Sequence, residues 1–381
     1  MAKKKESGVF SDAELYEAIE AGVITATEPI VDKQVQPASI DLRLGTKVYR
    51  LVSSFLPEKD GVLDKLHQKD MYGTDLVMYE MDMGADGKIL EKDSVYLIPL
   101  MESLKLPRGV GGKANPKSTT GRLDIFTRVI TDRNPRFDEI RDGYDGGLFL
   151  EIMPRSFTVR VKAGQSLVQL RLRRGDCLVS DTQLKRLNTD TGLLYDGSDK
   201  ISNANGNIIS NGIFMSVDLK GDSSGIIGYK SKKNSQVVDL SNIDYYNMKD
   251  FWEPIFRNDR GTLILEPEEF YILASKEKIR IPGGYASEML PFEAGSGELR
   301  THYAGFFDPG FGYGKRGEVK GTQAVLEVRA HDVPFMIAHG QTLFKLFFER
   351  MSKTPKNVYG PKIGSSYQYQ TITLSKQFKK A

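Results

Sequence analysis

Residues 89–107 read ILEKDSVYLIPLMESLKLP, and residues 264–282 read ILEPEEFYILASKEKIRIP. The two stretches share an apolar pattern and a closing proline, and they stand 175 positions apart. Residues 163–167 match 339–343 and residues 150–151 match 326–327, both at a spacing of 176, and residues 39–43 match 216–220 at 177. A spacing this constant over so long a stretch predicts two homologous domains in tandem.

The segments around these matches have the alternating pattern of strands. Residues 157–161 (FTVRV) and 167–172 (LVQLRL) alternate with period two, and 343–348 (LFKLFF) repeats the pattern in the second copy. One helix is predicted near residue 12, because Ser11 and Glu14 can form a capping box and Gly22 can end it. We therefore expect a mainly β protein with few short helices, in domains 1–190 and 191–381, with a linker in the polar stretch 188–211.

Composition limits the classes of function. The 381 residues, 40% hydrophobic and 27% charged, are enough for two cores. A net charge of +3 argues against a dedicated nucleic-acid binder but leaves room for a local phosphate pocket. The single cysteine, Cys177, excludes an intrachain disulfide and is typical of a cytoplasmic protein. No apolar run is long enough to span a membrane, so we expect no membrane partner.

The residues that bind zinc are scarce. One cysteine and four histidines cannot supply the His/Cys/Cys site of common nucleobase deaminases, whose H-x-E…P-C-x-x-C signature is absent. Any hydrolysis is therefore expected to depend on a carboxylate, or on a metal held by oxygen ligands.

A series of motifs carries a family resemblance. They are 35–45 (VQPASIDLRLG), 116–123 (PKSTTGRL), 143–151 (GYDGGLFLE), 304–312 (AGFFDPGFG), 324–327 (AVLE) and 359–370 (YGPKIGSSYQYQ). In this order they resemble the motifs of the dCTP deaminase and dUTPase superfamily. The resemblance implies a dUTPase-like distorted β-barrel (β-clip) fold in each domain, and hydrolysis of dCTP to dUTP and ammonia in pyrimidine deoxynucleotide metabolism.

The chemistry of that reaction fits the residues in the motifs. Without zinc, a carboxylate must take a proton from water, and a hydroxyl and a cation can hold the water and the adduct. The resemblance implies these roles for Ser118, Arg122 and either Glu151 or Glu327. It also implies a set of substrate-binding residues: Thr119, Arg133, Ala304, Asp308, Tyr359, Tyr367 and Gln370. Mg²⁺ is expected only with the triphosphate of the substrate, and no zinc is expected.

The two copies have diverged in complementary ways. At a spacing of 175, Ser118 and Arg122 fall on Glu293 and Gly297, so the second copy lacks the motif of the loop. The first copy in turn lacks a clean Ala-x-x-x-Asp-Pro-Gly motif. Phe306 stands where deaminases of the family usually carry arginine, and Ser366 stands where their tail usually carries lysine.

Two arrangements of the site stay open. In the family, sites form between neighbouring subunits of a trimer. The resemblance therefore implies that this chain is a homo-oligomer, and specifically a trimer. In a composite site Ser118 and Arg122 of one copy face Ala304 and Glu327 of the other, but a three-membered ring cannot alternate two kinds of unit. A ring of first copies would instead use Glu151.

Two other functions are also open. A dUTP diphosphatase, or a bifunctional enzyme that deaminates and cleaves, would use the motif that ends at Asp308. Repeated domains with lost loops can also become nucleotide sensors without turnover.

Overall fold

The computed structural model describes residues 6–68, 75–203, 208–291, 299–301, 305–330, 332–360 and 370–380. It is mainly β with a few short helices, which confirms the predicted fold class. The first copy contains strands β1 (Gly8–Val9), β2 (Ile24–Ala26), β3 (Ile40–Arg43), β4 (Lys47–Leu51), β5 (Val77–Asp82), β6 (Lys88–Leu90), β7 (Val95–Lys105), β8 (Val110–Pro116), β9 (Ile125–Ile130), β10 (Glu139–Ile140), β11 (Asp145–Pro154), β12 (Val159–Val161) and β13 (Ser166–Arg174). Its helices are α1 (Asp12–Glu20), α2 (Val62–Leu66) and α3 (Ser118–Gly121), with a 3-10 turn at Asp32–Gln34.

The second copy repeats this order of strands. It contains β14 (Leu194–Asp196), β15 (Asp199–Lys200), β16 (Ile213–Ser216), β17 (Ile226–Ser231), β18 (Val238–Asp239), β19 (Trp252–Phe256), β20 (Thr262–Leu265), β21 (Phe270–Ile279), β22 (Tyr285–Pro291), β23 (Leu299–Thr301), β24 (Phe306–Phe307), β25 (Thr322–Ala330), β26 (Phe335–Ala338) and β27 (Thr342–Arg350). Its helices are α4 (Asp181–Thr191) and α5 (Met248–Phe251).

Strand pairing in the two copies follows the predicted repeat. Ile98 on β7 pairs with Leu150 on β11, and Leu273 on β21 pairs with Leu326 on β25. Ile98 and Leu273 stand 175 positions apart in the sequence, and Leu150 and Leu326 stand 176 apart, as the sequence matches predict. The antiparallel pair β8–β13 corresponds in the same way to β22–β27. Each copy thus places one long, buried strand with a glutamate, β11 or β25, beside β7 or β21.

One of the sequence matches is wrong. The backbone N–H groups of Arg43 and Ser216 each donate to a glutamate, Glu102 and Glu277 respectively, at 2.7 Å. Arg43 therefore corresponds to Ser216 at a spacing of 173, and residues 39–43 do not match 216–220. Pairing of β16 with β27, which buries alternate residues of β16, sets this register.

The predicted linker at 188–211 is also wrong over much of its length. Helix α4 runs to Thr191, and β14 pairs with β21, where Leu194 lies opposite Ile279. Leu184, Leu193 and Leu194 are buried in the apolar core of the second copy. Polar composition misled the prediction because the helix and the hairpin bury only a few apolar side chains. The domain boundary at residue 190 stays a prediction and falls inside α4.

The two copies are packed into each other. Strand β18 of the second copy pairs in parallel with β12 of the first. Phe157 of the first copy contacts Trp252 of the second, with ring centroids 5.3 Å apart, and Phe378 near the end of the chain lies 5.3 Å from Phe251. Buried aromatic rings contribute large apolar areas. The C-terminal segment 370–380 is therefore anchored in a core that both copies share. No helix among the described residues is long and apolar enough to cross a bilayer.

Candidate active site

The loop that carries Ser118 and Arg122 is fixed by hydrogen bonds to β13. The N–H of Lys117 and the Oγ1 of Thr120 both donate to the carbonyl of Leu167, at 2.9 and 2.7 Å. Helix α3 is a single turn, which closes when the N–H of Arg122 donates to Ser118 O at 3.0 Å. The loop therefore has a fixed conformation in which Arg122 is almost fully buried.

Glu327 of the second copy lies close to Ser118 and Arg122 of the first. It lies on β25, a strand with β21 on one side and β23 on the other, and its side chain is buried. Burial raises the pKa of Glu327 to about 8, although the guanidinium of nearby Arg122 opposes the rise. A buried carboxyl group that titrates near neutral pH is suited to take up and release a proton.

The two copies line a cavity of about 50 Å³ between them, which we call the inner cavity. Its polar side chains come from both copies and from the C-terminal segment: Lys117, Ser118, Arg122, Asp308, Glu327, Tyr359 and Gln370. Its apolar walls are Met289, Phe306, Phe307, Phe311 and Val325. An apolar cavity with a few convergent polar groups is the usual form of a small-molecule site.

The C-terminal segment holds the guanidinium of Arg122. Its Nη1 donates to Thr373 O at 2.8 Å, and its Nη2 donates to Gln370 Oε1 at 2.6 Å. Gln370 in turn donates from Nε2 to Gln323 O on β25 at 2.9 Å. Arg122 of the first copy is thus joined through Gln370 to the strand that carries Glu327.

A buried ion pair lies beside the same junction. Asp124, two residues after Arg122, pairs with Arg329, two residues after Glu327. Asp124 also accepts a hydrogen bond from Ser156 Oγ at 2.6 Å. This pair connects the two copies next to the residues predicted to be catalytic, and its carboxylate contributes to the raised pKa of Glu327.

Asp308 closes another side of the inner cavity. Burial raises its pKa to about 6, and Arg171 opposes the rise. The chain can turn close to Tyr359 because Gly310 has a φ of +96° and a Cβ there would lie 2.7 Å from Val358 Cβ. Tyr359 donates its N–H to Pro309 O at 2.8 Å and packs edge-on against Phe311, with centroids 5.3 Å apart.

A wider cleft of about 560 Å³, the outer cleft, adjoins the inner cavity and shares Lys117, Ser118, Phe306, Asp308 and Tyr359 with it. Lys33, Lys117 and Lys376 supply positive charge, and Thr119 also lies on its wall. Lys117 forms an ion pair with Asp41. Burial and the charge of Lys117 lower the pKa of Lys376. Two close ammonium groups in a cleft are suited to an anionic group.

Glu151 lies elsewhere, against its own copy. Arg128 donates to Glu151 Oε1 from Nε at 2.9 Å and from Nη2 at 2.5 Å, and its guanidinium stacks on Phe137 at 3.7 Å. Arg133 is also absent from the lining of both cavities; it is exposed after β9 and donates its N–H to Asp60 O.

The structure thus brings Ser118, Arg122, Glu327, Asp308, Tyr359 and Gln370 together, with Thr119 in the adjoining cleft. Two predicted residues, Ala304 and Tyr367, lie outside the described residues. The outer cleft also contains charged residues that were not predicted, among them Lys33, Asp41, Lys117 and Lys376. Asp41 and Lys117 lie within the quoted motifs, but nothing in the sequence signals that Lys376 returns to the loop at residue 117.

Comparisons with known proteins identify the family of the chain. The model of the dCTP deaminase N-terminal domain matches residues 6–176, and the model of the C-terminal domain matches residues 180–378. The chain belongs to the dCTP deaminase family.

Individual relatives are similar in the same way. The crystal structure of a dCTP deaminase from Agrobacterium tumefaciens is 43% identical, covers 91% of this chain and 99% of its own, and has a TM-score of 0.83. A dUMP-forming dCTP deaminase from Nanoarchaeum equitans is 28% identical over 44% of this chain and 84% of its own length. A dCTP deaminase from Ignicoccus hospitalis is 24% identical over 44% of this chain and 84% of its own.

These findings confirm the predicted activity at the level of the family. The chain is a hydrolytic enzyme of nucleotide metabolism that deaminates dCTP, and a nucleotide is its substrate. A sensor without turnover is not supported.

Proposed function

We propose that deamination takes place in the inner cavity of a single chain, with Glu327 as the general base and acid. The observation that carries this proposal is that Ser118 and Arg122 of the first copy and Glu327 of the second line one cavity. Glu151, in contrast, is bound to Arg128 within the first copy. A composite site inside one chain needs no ring of alternating units.

The residues divide the reaction between them. Glu327 takes a proton from water as the oxygen adds to C4 of the cytosine ring, and it passes that proton to N3. Breaking the C4–N bond then releases ammonia, with the remaining hydroxyl proton transferred to the leaving amine. The Ser118 hydroxyl and the Arg122 guanidinium hold the water and stabilise the oxygen of the adduct.

The outer cleft is proposed to hold the triphosphate. Its lysines are Lys33, Lys117 and Lys376, and it opens directly from the inner cavity. Mg²⁺ would accompany the substrate, bound by phosphate oxygens and water. No group of three or more His, Cys, Asp or Glu side chains suited to a metal ion occurs among the described residues. The proposal gives proton transfer to Glu327.

The first experiment incubates the purified chain with dCTP and Mg²⁺ and follows ammonia, dUTP and pyrophosphate together. Glu327→Gln should lower kcat by about 10²–10⁴-fold, the usual contribution of a general base. Glu151→Gln is the matched control, at the corresponding position of the other copy, and should stay within about threefold of the parent. A fully active Glu327→Gln enzyme would overturn the proposal.

A second candidate differs only in the product. The relative from Nanoarchaeum equitans is named as dUMP-forming, and Asp308 of the Ala-Gly-x-x-Asp motif lines both cavities. A bifunctional enzyme would release ammonia and pyrophosphate in equal amounts from dCTP. A plain deaminase would release ammonia and dUTP without pyrophosphate, and we expect this second outcome.

The assembly of the chain is proposed separately. A homo-oligomer, a trimer in the prediction from sequence, stays a prediction, as does a cytoplasmic location. If the composite site is correct, specific activity should not depend on chain concentration across the range where light scattering shows a change of assembly.

A further inference from the structure

Arg171 is a buried arginine that comes from the first copy and ends beside the Asp308 segment of the second. It lies on β13, and its side chain is about 2% exposed. Its Nη1 donates to Ser287 O at 3.2 Å and to Glu349 Oε2 at 3.1 Å, both in the second copy. The cost of burying a guanidinium is large unless it is paired, so this arrangement calls for a reason.

The free face and the second amino group of Arg171 both point to the wall of the active cavities. Its guanidinium carbon lies 3.9 Å from the centre of the Phe306 ring, within the range of a cation–π contact. Its Nη2 lies 3.7 Å from Asp308 Oδ1. Phe306 and Asp308 line both the inner cavity and the outer cleft.

The contact with Asp308 is attractive but incomplete. A separation of 3.7 Å is too long for a hydrogen bond, and neither Arg171 Nη2 nor Asp308 Oδ1 has a hydrogen-bond partner among the described residues. Both atoms are buried, and an unsatisfied buried polar atom is destabilising. Such a gap closes if the Asp308 segment shifts by less than 1 Å when substrate enters, as hydrogen bonds of empty active sites commonly do.

We infer that Arg171 is a positioning residue of the reaction, which holds from the first copy the Phe306–Asp308 wall of the two cavities. By stacking on Phe306 and attracting Asp308, it fixes the segment that lines the cavities on the side of the second copy. The inference deepens the proposed function and rests on it, because Asp308 matters only if the inner cavity is the active site.

Charged groups around Asp308 determine how its ionisation should respond. Arg171 lies on one side, and Asp41 of β3 and Lys117 of the α3 loop act from the other. Lys376 of the C-terminal segment lies behind them, close to Asp41 and Lys117. Of these, the charge of Arg171 is the strongest influence that keeps Asp308 ionised. Its loss should move the ionisation of Asp308 to higher pH.

The test compares Arg171→Met with Arg173→Met. Arg173 lies two residues further along β13 and is attracted to the same Glu349 at 3.8 Å, but it is 42% exposed and has no contact with Asp308. Arg171→Met should lower kcat/KM by about 10–100-fold, since a small misplacement of a cavity wall can cost two orders of magnitude. Its kcat/KM profile should lose activity at a higher pH on the acid side. Arg173→Met should stay within about twofold, with an unchanged profile.

Two further variants separate a positioning role from a purely structural one. Arg171→Lys keeps the charge but loses the planar stack on Phe306, so it should keep the pH profile and recover part of the activity. In an Asp308→Asn background, Arg171→Met should have little further effect and no shift of the profile. If Arg171→Met does not fold, the Lys variant and its combination with Asp308→Asn decide the question.

Two results would contradict a positioning role for Arg171. A normal pH profile in Arg171→Met, or an undiminished effect of Arg171→Met in the Asp308→Asn background, would overturn the inference. Failure of the proposed function would appear separately, as a fully active Glu327→Gln enzyme whose Arg171 is unaltered.

Discussion

Glu151 and Glu327 occupy corresponding places in the two copies, yet their surroundings differ. Each lies on the long strand that pairs with the equivalent of β7, and each is buried. Glu151 accepts two hydrogen bonds from Arg128. Glu327 faces a cavity, and burial raises its pKa to about 8. Glu151 is thus held in an ion pair, whereas the corresponding Glu327 has a pKa at which it can exchange a proton near neutral pH.

The raised pKa of Glu327 makes the folded state less stable as pH rises. In the folded chain Glu327 keeps its proton up to a pH of about 8, whereas the unfolded carboxyl loses it near its ordinary pKa of 4.5. Between these two values the folded state binds more protons, so the free energy of unfolding falls as pH rises. Glu327 therefore destabilises the fold in the pH range where it would act as the proposed base, a trade-off expected of a catalytic group.

A substitution of Ser118 tests whether the α3 loop of the first copy acts together with Glu327 of the second. Ser118→Ala should lower kcat about 10²–10³-fold while leaving thermal stability nearly unchanged, because the hydroxyl is proposed to hold the attacking water. Steady-state kinetics and a melting curve measure both. Activity close to the parent would separate the α3 loop from Glu327 and remove the basis for a composite site.

The pH dependence should show the ionisation of Glu327. Because the proposed base must be ionised to accept a proton, kcat/KM should rise by up to tenfold per pH unit on the acid side and level off near pH 8. The measurement is a kcat/KM profile from pH 5 to pH 9, taken with Glu151→Gln beside the parent.

A stability measurement provides the control for that profile. Relative to the parent, Glu327→Gln should gain stability steadily between about pH 4.5 and pH 8, because the glutamine has no proton to lose. A difference in melting temperature that does not change with pH would contradict the raised pKa, whatever the activity shows.

The sequence predicted much of this because the repeat and the motifs are local. Spacings of 175 and 176 reappear in the strand pairing, and the turn of Ser118 and Arg122 is closed by a hydrogen bond within its own motif. The predictions for 188–211 and for the match of 39–43 relied on composition or on similar letters. Burial of a few side chains and the pairing of β16 with β27 determine those regions instead.

What the sequence left open depends on contacts far apart in the chain. The proposed choice of Glu327 over Glu151 rests on Arg128, which binds Glu151, and on the packing of β25 against the first copy. Neither is visible in a motif, since Arg128 lies in an ordinary alternating strand. Lys376 and Arg171 were missed for the same reason, because each reaches the site from a different copy or from the C-terminal segment.

The C-terminal segment allows a smaller test of the comparison. Phe378→Ala removes a ring that packs against Phe251 and Trp252, and Phe-to-Ala changes in cores cost about 3–5 kcal/mol. Because the loss falls on the segment that holds Arg122, we expect local release of that segment and a loss of kcat/KM of about fivefold to tenfold. Faster proteolysis near the carboxyl end and a lower melting temperature would accompany it. Unchanged kinetics after such release would show that Arg122 does not need this support.

The smallest effect on activity, and the sharpest contrast between the copies, is expected from Arg128→Met. Without Arg128 the buried Glu151 loses the partner of its Oε1 atom, and the fold should lose about 1–3 kcal/mol, less than a fully buried pair because Arg128 is about one quarter exposed. Activity should stay within about twofold, since neither residue lines the proposed site. Combining Arg128→Met with Glu151→Gln should restore part of the stability, as the unpaired charge is then gone. Glu151 would be drawn into catalysis only if Arg128→Met lowered kcat as strongly as Ser118→Ala does.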